Sequence, residues 1–367
     1  MKQSAAFAAI RQIATLGYSW QMALPTLLAA IRDIVPYEKA TFVWVDEECN
    51  DLDWYGPLVV PADVMRFYLE QFYNRQESEA IPSNRELMAS LGTDRSASIP
   101  DFHRSDFFNV IFMPGGNRHY LRLSIRNGMQ PVGILYLLRP CGSRDFTREE
   151  ELSLARAAPW LTHALVSPSC GAAEEKLVED ENGLIVTDAK GAVLFFSQGA
   201  KELLHRAAGV PINCRTLDGC LDWAKALIDR LIHSLGASLD GKAGQPAPAL
   251  KIRNPSGFFV LRAYWIESTT PGSARNAAIQ IQQQIPLSLR LMQSPLIRKM
   301  PPREQQACLL LAQGMSSTEI ATRMGISRNG AVYHIRSSYN RLGISSQEEL
   351  VGALLMPQTG FSRTASD

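Results

Sequence analysis

Apolar residues change their period several times along this chain, and each change marks an element. In 'LPTLLAAIRDIVP', Leu24, Leu27, Leu28, Ile31 and Ile34 recur at steps of three and four. That spacing predicts an amphipathic helix. 'ATFVWVD' then reads as a buried strand, and 'ADVMRFYLEQFY' as a helix rich in aromatics. In 'HYLRLSIRNGMQPVGILYLL' the period drops to two. Leu121, Leu123 and Ile125 alternate with polar residues, Asn127-Gly128 supplies the positive φ of a tight turn, and a second apolar strand follows. 'FTREEELSLARAAPWLTHAL' returns to helical spacing, with Thr147 and Glu150 placed as a capping box. The start, 'MKQSAAFAAIRQIATLGYSW', is broken by Arg11 and reads as a folded helix rather than a signal peptide. Residues 1–168 are therefore expected to form an α+β domain with an antiparallel sheet.

The polar stretch 'SPSCGAAEE' reads as a linker. A second, smaller α+β unit is predicted over 178–286. It opens with 'ENGLIVTDAKGAVLFFSQGAKELLHRA', in which two apolar strands flank a turn from Asp188 to Gly191 and an amphipathic helix follows. 'ALKIRNPSGFFVLRAYWI' gives a strand, a Pro-Ser-Gly turn and a long strand, and 'NAAIQIQQQ' a last one. 'IPLSLRLMQSPLIRKMPP', with its prolines and basic residues, reads as a hinge. Beyond it, over 298–357, the pattern is all helical. Pro302 suits a first helical position and Gly314 a stop. Ser316 and Glu319 form a second capping box, Gly325 ends that helix, Ser327 caps the next, Gly343 ends it, and Ser345 or Ser346 caps a fourth.

Apolar spacing in this last unit buries Leu310, Leu311, Ile320, Ala321, Met324, Ile326, Ala331, Ile335 and Leu342. Small residues at Ala321 and Ala331 let the second and third helices cross closely. Left outside on the third helix are Arg328, Asn329, Val332, Tyr333, Arg336, Ser337, Asn340 and Arg341, with no carboxylate among them. Arginine can fork onto guanine, asparagine can pair with adenine, and tyrosine or serine can bind phosphate. Periodicity and charge alone leave two readings even: a helix for the DNA major groove, or an ordinary solvated face.

Composition narrows the surroundings. Of 367 residues, 46% are hydrophobic and 20% charged, and the net charge is only +1. Any nucleic-acid site must then come from local clustering of charge. No apolar run reaches membrane-spanning length, and a cytoplasmic location without membrane partners is expected. The six cysteines, Cys49, Cys141, Cys170, Cys214, Cys220 and Cys308, include no CxxC pair and no zinc spacing. They are expected to be reduced and mostly buried, with no metal bound.

The C-terminal stretch resembles the LuxR-type helix-turn-helix domain of bacterial transcription regulators. 'PRE', 'LLAQG', 'S..EIA', 'GIS', 'H' and 'LGI.S' occur in order and without gaps, over about a seventh of the chain. The resemblance implies a four-helix unit whose third helix enters the major groove and whose fourth supports dimerisation. Carried onto the matching positions, Val332, Tyr333 and Arg336 face bases, with Arg328 and Asn329 beside them. Thr318, His334, Ser337, Asn340 and Arg341 lie toward the backbone. The chain departs from the family where Thr-Val-Lys is usual and Gly330-Ala331-Val332 stands, at Thr318 in place of lysine, and at Pro301 in place of a capping threonine.

The two front segments resemble sensory modules. 'LLAAIRDIV', 'ATFVWVD', the late hairpin and 'GSRDFTREEELSLARAAPWLTHAL' are similar to a GAF domain. 'GLIVTDAKGAVLFFSQGAKELL' is similar to a PAS domain, with Ser197 where asparagine is frequent. The aromatics Trp44, Trp54, Tyr55, Phe67, Tyr68 and Phe108 are candidates to line a small-molecule pocket, against the plainer reading of ordinary core. 'NCRTLDG' is similar to a flavin-binding stretch through Cys214. The later strand lacks the paired asparagines that would hold the ring, however, and no cofactor is expected. His205 and His233 are lone histidines, and no catalytic constellation or phosphate-cradling loop appears, so an enzyme is not expected. The whole reads as a multidomain regulator: two α+β sensory domains, GAF-like and PAS-like, then an all-α four-helix helix-turn-helix domain. Its expected partners are double-stranded DNA at a roughly palindromic operator, a second copy of itself, and a small-molecule effector. The alternative is a protein-interaction regulator whose DNA binding is weakened or lost.

Overall fold

The computed structural model describes residues 2–56, 67, 81–90, 92–167, 176–212, 222–237, 248–267, 269 and 275–355. The first unit begins with α1 (Lys2–Ala14) and α2 (Trp20–Arg32). Leu24, Leu27, Leu28, Ile31 and Ile34 are all buried, as their spacing predicts. Strands β1 (Lys39–Val45), β2 (Asp51–Tyr55), β3 (Thr93–Arg95), β4 (Asn117–Asn127) and β5 (Gln130–Pro140) form one antiparallel sheet in the order β2-β1-β5-β4-β3. A short helix, α3 (Asn84–Ala89), precedes β3, and α4 (Arg148–Val166) follows β5. Alternation along β4 turns Leu121, Leu123 and Ile125 into the core shared with α1, α2 and α4. The Thr147–Glu150 capping box is present at the start of α4. The aromatic helix expected over 62–73 and the linker over 168–175 lie outside the described residues, apart from Phe67.

The hairpin turn falls one residue later than expected. Asn127 stays in the ladder opposite Gln130, so the loop is Gly128–Met129, and the positive φ belongs to Gly128 alone. Glycine at the first loop position suits a turn whose twist matches the strands.

The second unit contains β6 (Leu177–Asp188), β7 (Val193–Phe196), α5 (Ala200–Ala208), α6 (Asp222–Ala237), β8 (Ala249–Asn254), β9 (Gly257–Ile266) and β10 (Asn276–Pro286). Its sheet runs β7-β6-β10-β9-β8. Counted from its own first strand, each sheet has the order 2-1-5-4-3. Ile185, Leu261, Ile279 and Ile281 pack under α5 and α6 as a separate core. The two units meet at the free edge of β2. The Trp54 N–H donates to the Ile212 carbonyl at 2.7 Å. The Ile212 N–H donates to Asp53 Oδ1 at 2.7 Å. Burial pushes the Asp53 carboxyl up to about 6, against the pull of the Ile212 and Trp54 N–H groups.

The expected hinge is instead a largely buried connection. It folds as α7 (Leu287–Met292) and α8 (Pro295–Arg298). Leu287, Leu289, Leu291, Met292, Ile297 and Met300 join the core of the first unit. Read alone, its prolines and basic residues suggest exposure, but Pro286, Pro295, Pro301 and Pro302 all sit at helix starts and Arg298 is neutralised inside. Arg298 Nε donates to Asp33 Oδ2 at 2.6 Å, and Nη1 donates to the carbonyls of Met292, at 3.1 Å, and Gln293. The Tyr18 and Ser288 hydroxyls hydrogen-bond at 2.8 Å.

Four helices follow: α9 (Pro302–Ala312), α10 (Ser317–Met324), α11 (Arg328–Leu342) and α12 (Gln347–Leu355). They do not stand apart. Cys308, Leu309, Ala312, Leu350 and Leu354 complete the large core with α1 and α7. The side-chain amide of Gln305, fully buried, donates to the Ala5, Arg298 and Met300 carbonyls. Among the described cysteines Cys308 is buried, Cys49 half-buried and Cys141 exposed, while Cys170, Cys214 and Cys220 lie outside the described residues.

Two outcomes are expected. Arg298→Ala leaves two buried carbonyls without a donor and Asp33 without a partner, and should lower stability by about 3 kcal/mol in urea unfolding. A loss under 1 kcal/mol would mean that Arg298 does not anchor the connection. The folded chain holds the Asp53 proton more tightly than the unfolded chain, whose carboxyl titrates near ~3.9. Wild type should therefore gain stability relative to Asp53→Asn as pH falls from about 6 towards ~4. Parallel pH–stability curves for the two proteins would contradict that assignment.

Candidate nucleic-acid interface

Local sequence sets the C-terminal hairpin. The Ser316 side chain accepts from the Glu319 N–H while the Glu319 carboxylate accepts from the Ser316 N–H, starting α10. Those hydrogen bonds hold Glu319 below the usual carboxylate range. Gly325, at φ +63°, ends α10 in the left-handed conformation that glycine adopts without steric strain. Ser327 Oγ accepts from the Gly330 N–H at 3.1 Å and starts α11. Gly343 closes it at φ +68°. Between the helices lie Ala307, Ile320, Ala321, Met324 and Ala331, all buried, with Leu310, Leu311, Ile326 and Ile335 around them. Leu342 packs instead against the large core.

This packing fixes which side of α11 remains outside. Asn329, Val332, Tyr333, Arg336, Ser337 and Asn340 line one shallow depression of about 490 Å³. They recur at i, i+3, i+4, i+7, i+8 and i+11, so they form a single stripe along a helix about 22 Å long. Tyr333 is 68% exposed, a large outlay of aromatic surface with no partner core. Arg328 is also exposed but does not line the depression. His334 is half-buried, its ring edge-on to Tyr333 at 5.4 Å. Thr318 is exposed in the first turn of α10, outside the depression.

A carboxylate does reach this face. Glu304, buried at the start of α9, accepts from Ser337 Oγ at 2.9 Å and from Arg341 Nε at 2.9 Å. Two of the residues assigned to the backbone therefore already have an intramolecular partner. Reading the third helix by itself misses this, because Glu304 lies more than thirty positions upstream. The one signal for it is the 'PRE' tripeptide, whose place over α11 only the fold reveals.

The described front-half pocket candidates fall in several places, with Trp44 and Tyr55 in one core. Trp44 packs on Trp20 and Phe42 in the large core. Tyr55 lies against the same core, Trp54 packs with Val43 and Val45 across the sheet, and Phe108 belongs to a third aromatic cluster with Phe102 and Phe112. The period of two sends Val43 and Trp44 to opposite faces, and Trp54 pairs with Val43. Phe67 is exposed, while Tyr68 and Cys214 lie outside the described residues. His205 is buried and stacks on Trp223 at 3.8 Å, and burial lowers its pKa to about 4, so its imidazole is neutral. Among the described residues, no group of His, Cys, Asp or Glu could hold a metal ion, and no helix is long and apolar enough to cross a membrane.

Two packed helices joined by a glycine turn, the second presenting a stripe of Arg, Asn and Tyr, define a helix-turn-helix unit. Residues 299–354 match the family described as "Bacterial regulatory proteins, luxR family", so the C-terminal unit is a LuxR-type helix-turn-helix domain. The chain is also similar to the probable transcriptional regulatory protein SgaR of Hyphomicrobium methylovorum, at 33% identity over 61 residues. That stretch is 17% of this chain and 29% of SgaR's length. Solved structures show partial likeness. VqmA of Vibrio cholerae gives 16% identity and a TM-score of 0.21, covering 48% of this chain and 82% of that one. The E. coli DhaR(N)–DhaL complex gives 14% identity and a TM-score of 0.25, covering 75% and 89%. Scores of this size establish no common fold.

Gly330 carries a testable consequence. A methyl group there would meet only Ser327 Oγ at 3.4 Å and Ile326 side-chain atoms at 3.6 Å and beyond. Its φ is not positive, so Gly330→Ala should stabilise the chain by about 0.5–1 kcal/mol, read as a raised unfolding midpoint. A lower midpoint would show that the position needs glycine.

Proposed function

We propose that the chain is a sequence-specific DNA-binding transcription regulator. On this reading a GAF-like and a PAS-like front sense a small molecule or partner and control the C-terminal helix-turn-helix. The observation that carries it is the exposed stripe of α11, with Asn329, Val332, Tyr333 and Arg336 outward on a helix capped and packed at both ends. Arg336 supplies a fork for guanine, Asn329 an amide for adenine, and Val332 a methyl surface for thymine. Asn340 and Thr318 contact phosphates, while Ser337 and Arg341 do so only by sharing or leaving Glu304. The protein acts as a homodimer on a roughly two-fold site. Both front units have the antiparallel sheet under helices that the two resemblances imply.

A second reading, a protein-interaction regulator with weakened DNA affinity, is favoured by one arrangement. Glu304 neutralises Arg341, and valine stands where the family has a lysine.

Selection from a random duplex pool, followed by salt-titrated binding, decides between them. Wild type should enrich a two-fold motif, and Arg336→Ala should lose about 1–3 kcal/mol on it. Val332→Lys should steepen the salt dependence by about one unit of log–log slope. No enrichment, with or without cell extract to supply a signal, would sink the DNA reading and leave the interaction one.

A further inference from the structure

The second sheet turns one face inward, where α5 and α6 pack against Ile185, Ala263, Ala277 and Ile279. Directly opposed residues of antiparallel strands share a face, so the strand registers map the outer one. Phe195 of β7 is opposite Val186 of β6, Val186 opposite Ala278 of β10, and Ala278 opposite Tyr264 of β9. The next row sets Gln280 opposite Arg262, and the one beyond it runs Gln282, Val260 and Lys251. A fourth sets Phe258 opposite Arg253 on the edge strand β8. Phe195 is 69% exposed and Tyr264 41%, and Lys251 and Arg253 are exposed as well.

Three cations therefore stand on the β8–β9 side of this face. Arg262 Nη1 donates to the neutral Gln282 Oε1 at 3.5 Å, and the Arg253 guanidinium lies over the Phe258 ring at 4.9 Å. Both contacts orient a charge without cancelling it. The acids in register lie at the two ends of the sheet. Glu179, opposite Gln284, accepts from Asn182 Nδ2 at 3.3 Å. Asp188, opposite Asn276, accepts from the Lys190 and Ala192 N–H groups. The middle rows carry positive charge and aromatic surface together.

We infer that this face binds single-stranded nucleic acid, a ligand separate from the duplex proposed for α11. Lysine and arginine without a carboxylate partner attract phosphates, and exposed rings stack on bases that no partner strand covers. Phe195 and Tyr264 stand three inter-strand gaps apart, about 14 Å, so each takes a different base. Gln280, on the β10 strand that runs between them, has a carboxamide that both donates and accepts, as a free base edge requires. A duplex fits poorly. Its bases are already paired and stacked, and a four-strand face is wider than the ~12 Å major groove that admits a two-stranded ribbon. An acidic polypeptide would meet the cations but leave the rings nothing to stack on.

The test is fluorescence anisotropy on the full chain, with labelled oligothymidine and oligouridine of about 16 nucleotides, the upper end of a single-domain site. Wild type should bind at least one of them with a micromolar constant, and the tighter of the two tells DNA from RNA. Phe195→Ala and Tyr264→Ala should each weaken that binding about tenfold, the effect of losing one stacked base. Lys251→Gln combined with Arg253→Gln should flatten the log–log salt slope by about 1.4. All four side chains are exposed, so the variants should melt as wild type does, and the two rings give independent readings should one variant misfold. Arg336→Ala, run beside them, separates this surface from α11. Single-strand binding that falls only in Arg336→Ala belongs to the helix-turn-helix and overturns the proposal. So does a wild type that binds neither oligomer. So does competition by polyglutamate as strong as by oligothymidine with both ring variants binding normally, which would make this face a site for acidic protein. Single-strand binding that is lost in the ring variants and kept in Arg336→Ala upholds the proposal, whether or not a duplex motif is ever enriched.

Discussion

One buried guanidinium sets the geometry of this molecule. Arg298 ends the connection between the second sheet and the C-terminal helices, and it faces inward. A charge in that position is tolerable only if it is paired and its N–H groups are satisfied. Asp33 at the end of α2 gives the pairing, and the Met292 and Gln293 carbonyls give the rest. The same contacts fix α7 and α8 against α2, and so determine where α9 starts. Gln305 repeats the device seven residues further on by binding carbonyls from α1 and from this connection. The helix-turn-helix unit is thus held by polar contacts of defined direction as well as by apolar packing.

The local signals in the sequence were sound wherever a residue acts on its own neighbours. Thr147 and Glu150, Ser316 and Glu319, and the glycines at 325 and 343 end or begin helices where their chemistry says they should. Hydrophobic period gave both sheets, and the α11 stripe emerged nearly intact because a helix surface is a one-dimensional pattern. What escaped was long-range. Glu304 meets Ser337 and Arg341 only because α9 crosses α11. The connection over 286–300 looked like a hinge because its prolines and basic residues suit either exposure or buried pairing, and only Asp33, far upstream, decides. The front aromatics looked like a pocket because they cluster in sequence, yet strand alternation divides them between faces. Even the hairpin slipped by one residue, since either Asn127 or Gly128 could have opened the loop.

Glu304 also bears on how α11 would read DNA under the proposed function. A buried carboxylate under the C-terminal turns of α11 holds Ser337 and Arg341 in fixed orientation and reduces the free positive charge there. Phosphate binding at that end would then exchange one anion for another, a phosphate for Glu304, rather than desolvate a free cation. In the N-terminal turns Arg328 and Asn329 are exposed, and on the proposed reading they present their groups directly to a duplex.

Helix α9 is a party wall. One side of it gives Ala307 to the small core under α11, and the other gives Cys308, Leu309 and Ala312 to the large core of the front. The small core has five fully buried residues, few for a unit of its size to stand on. The helix-turn-helix end of this protein is therefore less a detachable cartridge than an extension of the front building. An exchange of such units between regulators, by recombination or by design, would have to carry α7, α8 and a matching α1 surface with it.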